Sequence, residues 1–379
     1  MIRIFSVFRT FTYEWLSNQS ILCNLVMITV QKEAHSPVMK RKIFVSLVLI
    51  LSIISCEGPE TTVTNIVGRN GSVLRKAEMS YTGGELTLAD FNVPVDSTWN
   101  LADSMEISEK GDTTWFLFAE KLFVSADAIN EAYLADTGKN STVTRTAIFR
   151  RKFKWFTTTW YFAEKCDRSL IHGYPVTDHL SPAEISFMNL PEKISDELVG
   201  GPDSLKYRSL IDSIQQHTEQ WIMRSLISEI IEDAGAICES SGKDSLTTEI
   251  LRSHEPDFYR LAAEDEDVEK IATTVLGEKL YEKFKPEIDS ALSVTDLKFD
   301  RSWLFEDYTL QIVMPADLKS TNGYSMSDGT LAWPVTGNHF LTEDYLMYAE
   351  SSDINYWAVF VTLLFPVLVL FSMQRFKRS

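Results

Sequence analysis

Cys56 is the residue whose setting speaks most directly of chemistry. It closes the run Ile53-Ile54-Ser55-Cys56. A thiolate is a strong nucleophile near neutral pH, where a serine hydroxyl is not. A cysteine directly after a small residue and two branched apolar ones is therefore placed to be alkylated and to become a new N-terminus after a cut before it. A second chemically legible stretch is 149–155. Its odd positions are Phe149, Arg151, Phe153 and Trp155, and its even positions are Arg150, Lys152 and Lys154. Period two gives a strand with one mainly aromatic face and one cationic face. Two readings follow. Arg150, Lys152 and Lys154 are candidate contacts for anionic lipid headgroups or an acidic ligand. The commoner arrangement, and the one expected first, is a solvated strand face paired with carboxylates across a sheet.

Other reactive types are scattered. His172 and His179 are too far apart for a metal-binding helical pair, and the acidic run 264–267 lacks the spaced oxygens and turn glycine of a calcium loop. That run reads instead as a charged helix N-terminus. No nucleophile-elbow, phosphate-loop or dinucleotide motif is present. Ser, His and Asp occur without a spacing that makes a triad. No cofactor and no metal are expected, and the chain leans away from enzymes. The formal charge of −17 opposes binding to nucleic acid. The four cysteines, Cys23, Cys56, Cys166 and Cys238, contain no C-x-x-C pair. Cys166 and Cys238 either pair in an oxidising compartment or are small buried residues.

The elements around Cys56 explain its setting. Met39-Lys40-Arg41-Lys42 precedes an apolar stretch, 43–54. That is the charged and apolar order of a signal peptide, and it is too short for a span. With Cys56 at its end, the segment resembles the lipobox of bacterial lipoproteins. The resemblance implies diacylglycerol on Cys56, with palmitate-type acyl chains as an anchor. Residues 1–38 fit poorly before such a signal. They are read as a start-site extension, the alternative being a genuine membrane-associated segment. The signal is then 39–55.

At the other end, residues 354–373 carry no charge. That length suits a bilayer core at about 1.5 Å per residue. Tyr356 and Trp357 stand at one end, and Arg375, Lys377 and Arg378 follow the other. The positive-inside rule puts tail 374–379 in the cytoplasm and the bulk of the chain outside, the same topology that the signal requires. The expected location is the cytoplasmic membrane, with the body on its outer (periplasmic) side.

Between the anchors the pattern is α+β: an antiparallel β body with a helical middle lobe. The β-rich region 56–180 opens on a hairpin, 61–67 and 72–77, around Asn70-Gly71. Residues 80–100 read as turns and short strands, 113–125 as extended, and 141–164 as the clearest strand region. The lobe covers 181–293. It opens on the capping box Ser181-Pro182-Ala183-Glu184. A long helix runs from Asp203 to Ala234 and stops at Gly235, with Leu210, Ile214, Trp221, Ile222, Leu226, Ile230 and Ile231 as its apolar stripe. A second, 267–292, ends or breaks near Pro286. Region 294–353 returns to strands, with 308–314, 330–335 and 345–349 completing the body and the last two expected beside the first strand.

In that last region, Val313-Met314-Pro315, Thr321-Asn322-Gly323 and the run from Asp328 through Gly329 to Trp333 resemble the hairpin of LppM-type lipoprotein domains. Ala316 departs from the glycine usual after the proline. The resemblance implies an envelope role with lipid or membrane contact and transfers no catalytic residue. Three functions stay open: a non-enzymatic envelope lipoprotein that binds or supports a membrane partner, protein or lipid; a carrier or sensor of a lipid or small hydrophobic ligand; and a hydrolase of unfamiliar type.

Overall fold

The computed structural model describes residues 59–108, 111–242, 246–265 and 267–376. The expected extension 1–38, the signal 39–55, Cys56, Cys23, Lys377 and Arg378 lie outside the described residues. In chain order the elements are β1 (Glu60–Val67), β2 (Val73–Tyr81), β3 (Asn100–Ile107), β4 (Thr113–Phe123), α1 (Ala126–Leu134), β5 (Arg145–Phe153), β6 (Thr157–Cys166), α2 (Pro182–Met188), α3 (Glu192–Gly200) and α4 (Ser204–Ser240). There follow α5 (Thr248–Ser253), α6 (Glu255–Ala262), α7 (Val268–Leu276), α8 (Glu278–Trp303), β7 (Tyr308–Val313), β8 (Asp317–Thr321), β9 (Tyr324–Ser325), β10 (Leu331–Val335), β11 (Tyr345–Ile354) and α9 (Tyr356–Phe376).

The fold is α+β. Seven strands form one sheet in the order β3-β4-β2-β1-β7-β10-β9, and four form a second in the order β5-β6-β11-β8. All pairs are antiparallel except β1 with β7. Alternation along each strand decides what lies between the sheets. Thr61, Val63, Asn65 and Val67 of β1 point inward, as do Val73, Arg75, Ala77 and Met79 of β2. They share a core with Phe162 and Cys166 of β6, Met347 and Ala349 of β11, and Ile129 and Tyr133 of α1. Residues 330–335 and 345–349 do not flank the first strand as expected. Instead β7 takes the place beside β1, β10 pairs with β7, and β11 pairs with β6 in the other sheet. The reason is the lobe, which leaves from β6 in one sheet and re-enters at β7 in the other.

The lobe has its own core, built by α4 and α8 around Trp221, Leu226, Ile231, Phe284, Ile288 and Phe299. Two sequence expectations fail here. Helix α4 passes through Gly235 and ends at Ser240. Gly235 is a contact residue: a Cβ there would lie 1.9 Å from Thr248 Oγ1 and 2.8 Å from Thr248 Cα, so glycine lets α5 begin against the α4 backbone. Helix α8 runs unbroken through Pro286 to Trp303. Glu282 and Pro286 lie on its exposed side, where water can take the carbonyl that proline leaves unbonded. Outside the lobe, helix α1 and strands β3, β8 and β9 were not expected. Helix α1 is capped by Ser125, whose side chain accepts from the Ala128 amide. Strand β3 is exposed at every position. Residues 82–99 hold a 3-10 turn at Leu88–Asp90 and no strand.

Cys166 and Cys238 are not joined. Cys166 lies in the sheet core and Cys238 in the lobe core. Burial pushes the Cys166 thiol up to about 12.

Candidate functional site

Strands β5 and β6 end in a two-residue turn. Lys154 and Thr157 exchange both backbone hydrogen bonds, at 2.8 and 3.2 Å, leaving Trp155 and Phe156 at the tip. Polar turn residues such as Asn-Gly are usual in so tight a loop. Here Trp155 and Phe156 are each 48% exposed and Phe153 beside them is 53% exposed. These rings lie against the start of α9. Trp155 and Phe153 meet Trp357 with ring centroids 5.3 and 6.3 Å apart. Trp155 Nε1 donates to Thr362 Oγ1 at 2.9 Å. Thr362 stands six residues beyond Tyr356, about 9 Å along the helix at 1.5 Å per residue.

One residue fixes this arrangement. Asn355 is the sole link between β11 and α9. Its amide donates to Phe156 O at 2.9 Å, and its Nδ2 donates to Lys154 O at 2.8 Å and Trp155 O at 3.2 Å. Its Oδ1 accepts from Thr158 Oγ1 at 2.9 Å. Its carbonyl takes the Ala358 and Val359 amides, two of the donors that a helix start leaves over. The same residue thus opens the helix and holds the hairpin.

The expected cross-strand carboxylates are absent from the cationic face. Arg150 stands opposite Tyr161, Arg151 opposite Trp160 and Lys152 opposite Thr159. Among the described residues, Arg150, Arg151, Lys152 and Lys154 form no ion pair, and all four are exposed. Arg150 lies over the Tyr161 ring at 5.8 Å. The nearby acids are engaged elsewhere, Asp353 by Arg69 at 2.8 Å and Glu350 by Lys319.

Helix α9 is long and apolar enough to cross a membrane over Tyr356–Met373, with 6% of that stretch buried against the protein. Phe360, Leu363, Phe365, Leu368, Leu370 and Phe371 are uncovered. It is therefore not the buried core helix that its composition also allows.

Two constellations, one interior and one half-buried, mimic catalytic sets. In the first, Arg75 of β2 pairs with Glu164 of β6 across the two sheets. Asn65 Nδ2 donates to Glu164 Oε1 at 2.6 Å, and Tyr133 OH donates to Glu164 Oε2 at 2.6 Å. Arg75 Nε and Nη1 donate to Asn65 Oδ1 at 2.8 Å and Tyr133 OH at 2.9 Å. Burial works against the Arg75 charge, but Glu164 and Tyr133 outweigh it and hold its pKa above the usual value. Arg145, paired with Asp136 at 2.6 Å, lies over the other side of this cluster, 4.5 Å from the Tyr133 ring. Such mutual satisfaction is a cross-sheet brace. In the second, Ser213 Oγ donates to Glu184 Oε1 at 2.5 Å, and His217 Nδ1 lies 2.8 Å from the same oxygen. The carboxylate sits between serine and imidazole, so His217 is not placed to take the serine proton as a triad requires. Glu184 also closes the expected capping box with Ser181. Although burial opposes its charge, these hydrogen bonds hold it down at about 2.

His172 and His179 are not brought together on a ligand. The His172 amide donates to Glu229 Oε2 at 2.6 Å, and His179 meets the Tyr174 ring edge-on. Asp267 of the acidic run caps α7 by accepting from the Lys270 amide at 3.2 Å. Sequence reasoning missed Asn355 and the tip pair Trp155-Phe156. No local signal marks the turn, because Trp155 and Phe156 stand where a tight turn normally places polar residues.

No family model matches the chain, and no curated protein matches it. Among solved structures, the NMR structure of the folded domain of LppM from Mycobacterium tuberculosis aligns with 79% of this chain and 94% of that domain, at 8% identity and a TM-score of 0.24.

Proposed function

We propose that this chain is an envelope lipoprotein of the cytoplasmic membrane with a non-enzymatic role, binding or supporting a membrane partner from the outer side. In this reading Cys56 carries acyl chains and α9 crosses the bilayer. The observation that carries it is the uncovered apolar surface of α9, which leaves the body directly from a central strand through Asn355. Contiguous apolar surface of that extent is unstable in water and calls for lipid or a partner. The lipobox-like run at Cys56 and the cations after α9 support a body outside and a tail inside.

Labelled palmitate fed to expressing cells tests the first anchor. Label is expected on the wild type and not on Cys56→Ala. Protease added to intact spheroplasts tests sidedness: the body should be digested and a short C-terminal fragment protected. A fully protected body would contradict the topology.

A further inference from the structure

We infer that the β5–β6 hairpin is a second membrane contact, with Arg151, Lys152 and Lys154 binding the headgroups of anionic phospholipids in the leaflet that α9 enters. This rests on the reading of α9 as a membrane span. Depth is the first argument. Asn355, directly before α9, is bonded to the carbonyls of Lys154, Trp155 and Phe156, so the tip backbone lies level with the start of the apolar segment, and the Trp155 indole reaches further down, to Thr362 in the second turn. Trp155, Phe156, Tyr356 and Trp357 then form one group of exposed aromatics at that level, where amphipathic rings are favoured at the lipid–water boundary.

The position of the cations follows from strand geometry. Lys154 adjoins the tip. Lys152 stands two residues further up and Arg150 four, about 7 and 14 Å at a strand rise of roughly 3.4 Å per residue. The headgroup layer on each side of the hydrocarbon core is about 5–8 Å thick. Lys154 and Lys152 therefore lie within it, Arg151, about 10 Å up, reaches back to its edge with a long side chain, and Arg150, held over Tyr161, adds to the field just outside it.

Charge is the second argument. The hairpin carries unpaired positive charge in a chain of net charge −17. Asp353 and Glu350, the acids on the neighbouring β11, are neutralised by Arg69 and Lys319. Asp317 is on β8, three strands from β5, or about 14 Å at the usual strand spacing. Phosphate-bearing lipid is the partner that fits a positive strip fixed at headgroup depth.

The test uses the full chain, purified in neutral detergent and titrated with phosphatidylglycerol or phosphatidylcholine, with bound lipids counted by native mass spectrometry. Because Arg375, Lys377 and Arg378 also attract anionic lipid, R375Q/K377Q/R378Q is measured alongside R150Q/R151Q/K152Q/K154Q. The hairpin variant is expected to bind its first phosphatidylglycerol about tenfold more weakly than wild type, with phosphatidylcholine unchanged. The tail variant should keep the hairpin's share. Equal phosphatidylglycerol binding by wild type and hairpin variant, or an equal loss for both lipids, overturns the inference. Membrane fractionation of Cys56→Ala, which has α9 as its one remaining anchor, separates the two readings. Soluble protein would sink the span itself, while membrane-bound protein without headgroup preference sinks only the hairpin contact.

Discussion

The indole of Trp155 donates to the hydroxyl of Thr362 across 2.9 Å, joining a hairpin of the β body to the second turn of the apolar C-terminal helix. These residues are 207 positions apart in the chain. Thr362 in turn donates to Ala358 O at 2.7 Å, so its lone pair is aimed outward at the indole. With Trp357 wedged against Trp155 and Phe153, the helix leaves the body at a fixed place rather than on a loose tether. In the proposed reading of α9 as a span, a body so held keeps one face toward the bilayer.

That rigidity depends on Asn355. In Asn355→Ala the side-chain bonds to Lys154 O, Trp155 O and Thr158 Oγ1 are lost, and the buried Thr158 hydroxyl is left without its acceptor. A cost of about 1–3 kcal/mol is expected. Hydrogen exchange should show it first at the Thr157 amide, the bond that closes the tip. Unchanged protection there would mean that the aromatic contacts alone hold the hairpin.

The brace between Arg75 and Glu164 gives a second test. Glu164→Gln leaves a buried guanidinium without its counter-charge and should cost about 3–5 kcal/mol in denaturant unfolding. Arg75→Met with Glu164→Leu removes both charges and should be less damaging than Glu164→Gln alone. A double variant worse than the single would show that the hydrogen bonds to Asn65 and Tyr133, more than charge balance, set the cost.

His339 makes stability depend on pH. Burial pushes its imidazole down to about 4, while its Nδ1 accepts from the Thr336 amide at 3.3 Å and its ring stacks on Tyr345. The unfolded chain takes up this proton near pH 6.5 and the folded one does not. The contribution is therefore complete above that pH and is lost as pH falls toward 4. Between pH 7 and pH 5 the wild type should lose up to about 2 kcal/mol more than His339→Asn. Parallel loss in the two proteins would remove His339 from the account.

Gly337 marks where the lobe meets the sheets. A Cβ there would stand 1.9 Å from the Ser302 carbonyl oxygen at the end of α8. Gly337→Ala must push these backbones apart, and an overpacking cost of about 1–3 kcal/mol is expected, read as a lowered Tm. An unchanged Tm would show that the joint is soft.

Much of this was legible before the structure. The Asn70-Gly71 turn marked β1 and β2, alternation marked β5, and the stripe of α4 is buried at Ile214, Trp221, Ile222, Leu226 and Ile231 as read from its spacing. What the sequence hid were tertiary facts. Gly235 and Pro286 look like helix breakers, yet one is a contact point for Thr248 and the other lies on a wet face. Strand β3 has no buried side to give it a pattern. The pairing of β1 with β7, and of β6 with β11, joins strands that the lobe separates in sequence. At the candidate site the cations Arg150, Lys152 and Lys154 were visible, but nothing local indicates that the strand carrying them turns at Trp155-Phe156 beside Thr362.

The central claim is that α9 holds the body to a bilayer independently of Cys56. Alkaline carbonate extraction of membranes carrying Cys56→Ala tests it most directly. The account expects the variant to stay in the membrane pellet, held by residues Tyr356–Met373. Release of the variant into the carbonate supernatant would contradict it.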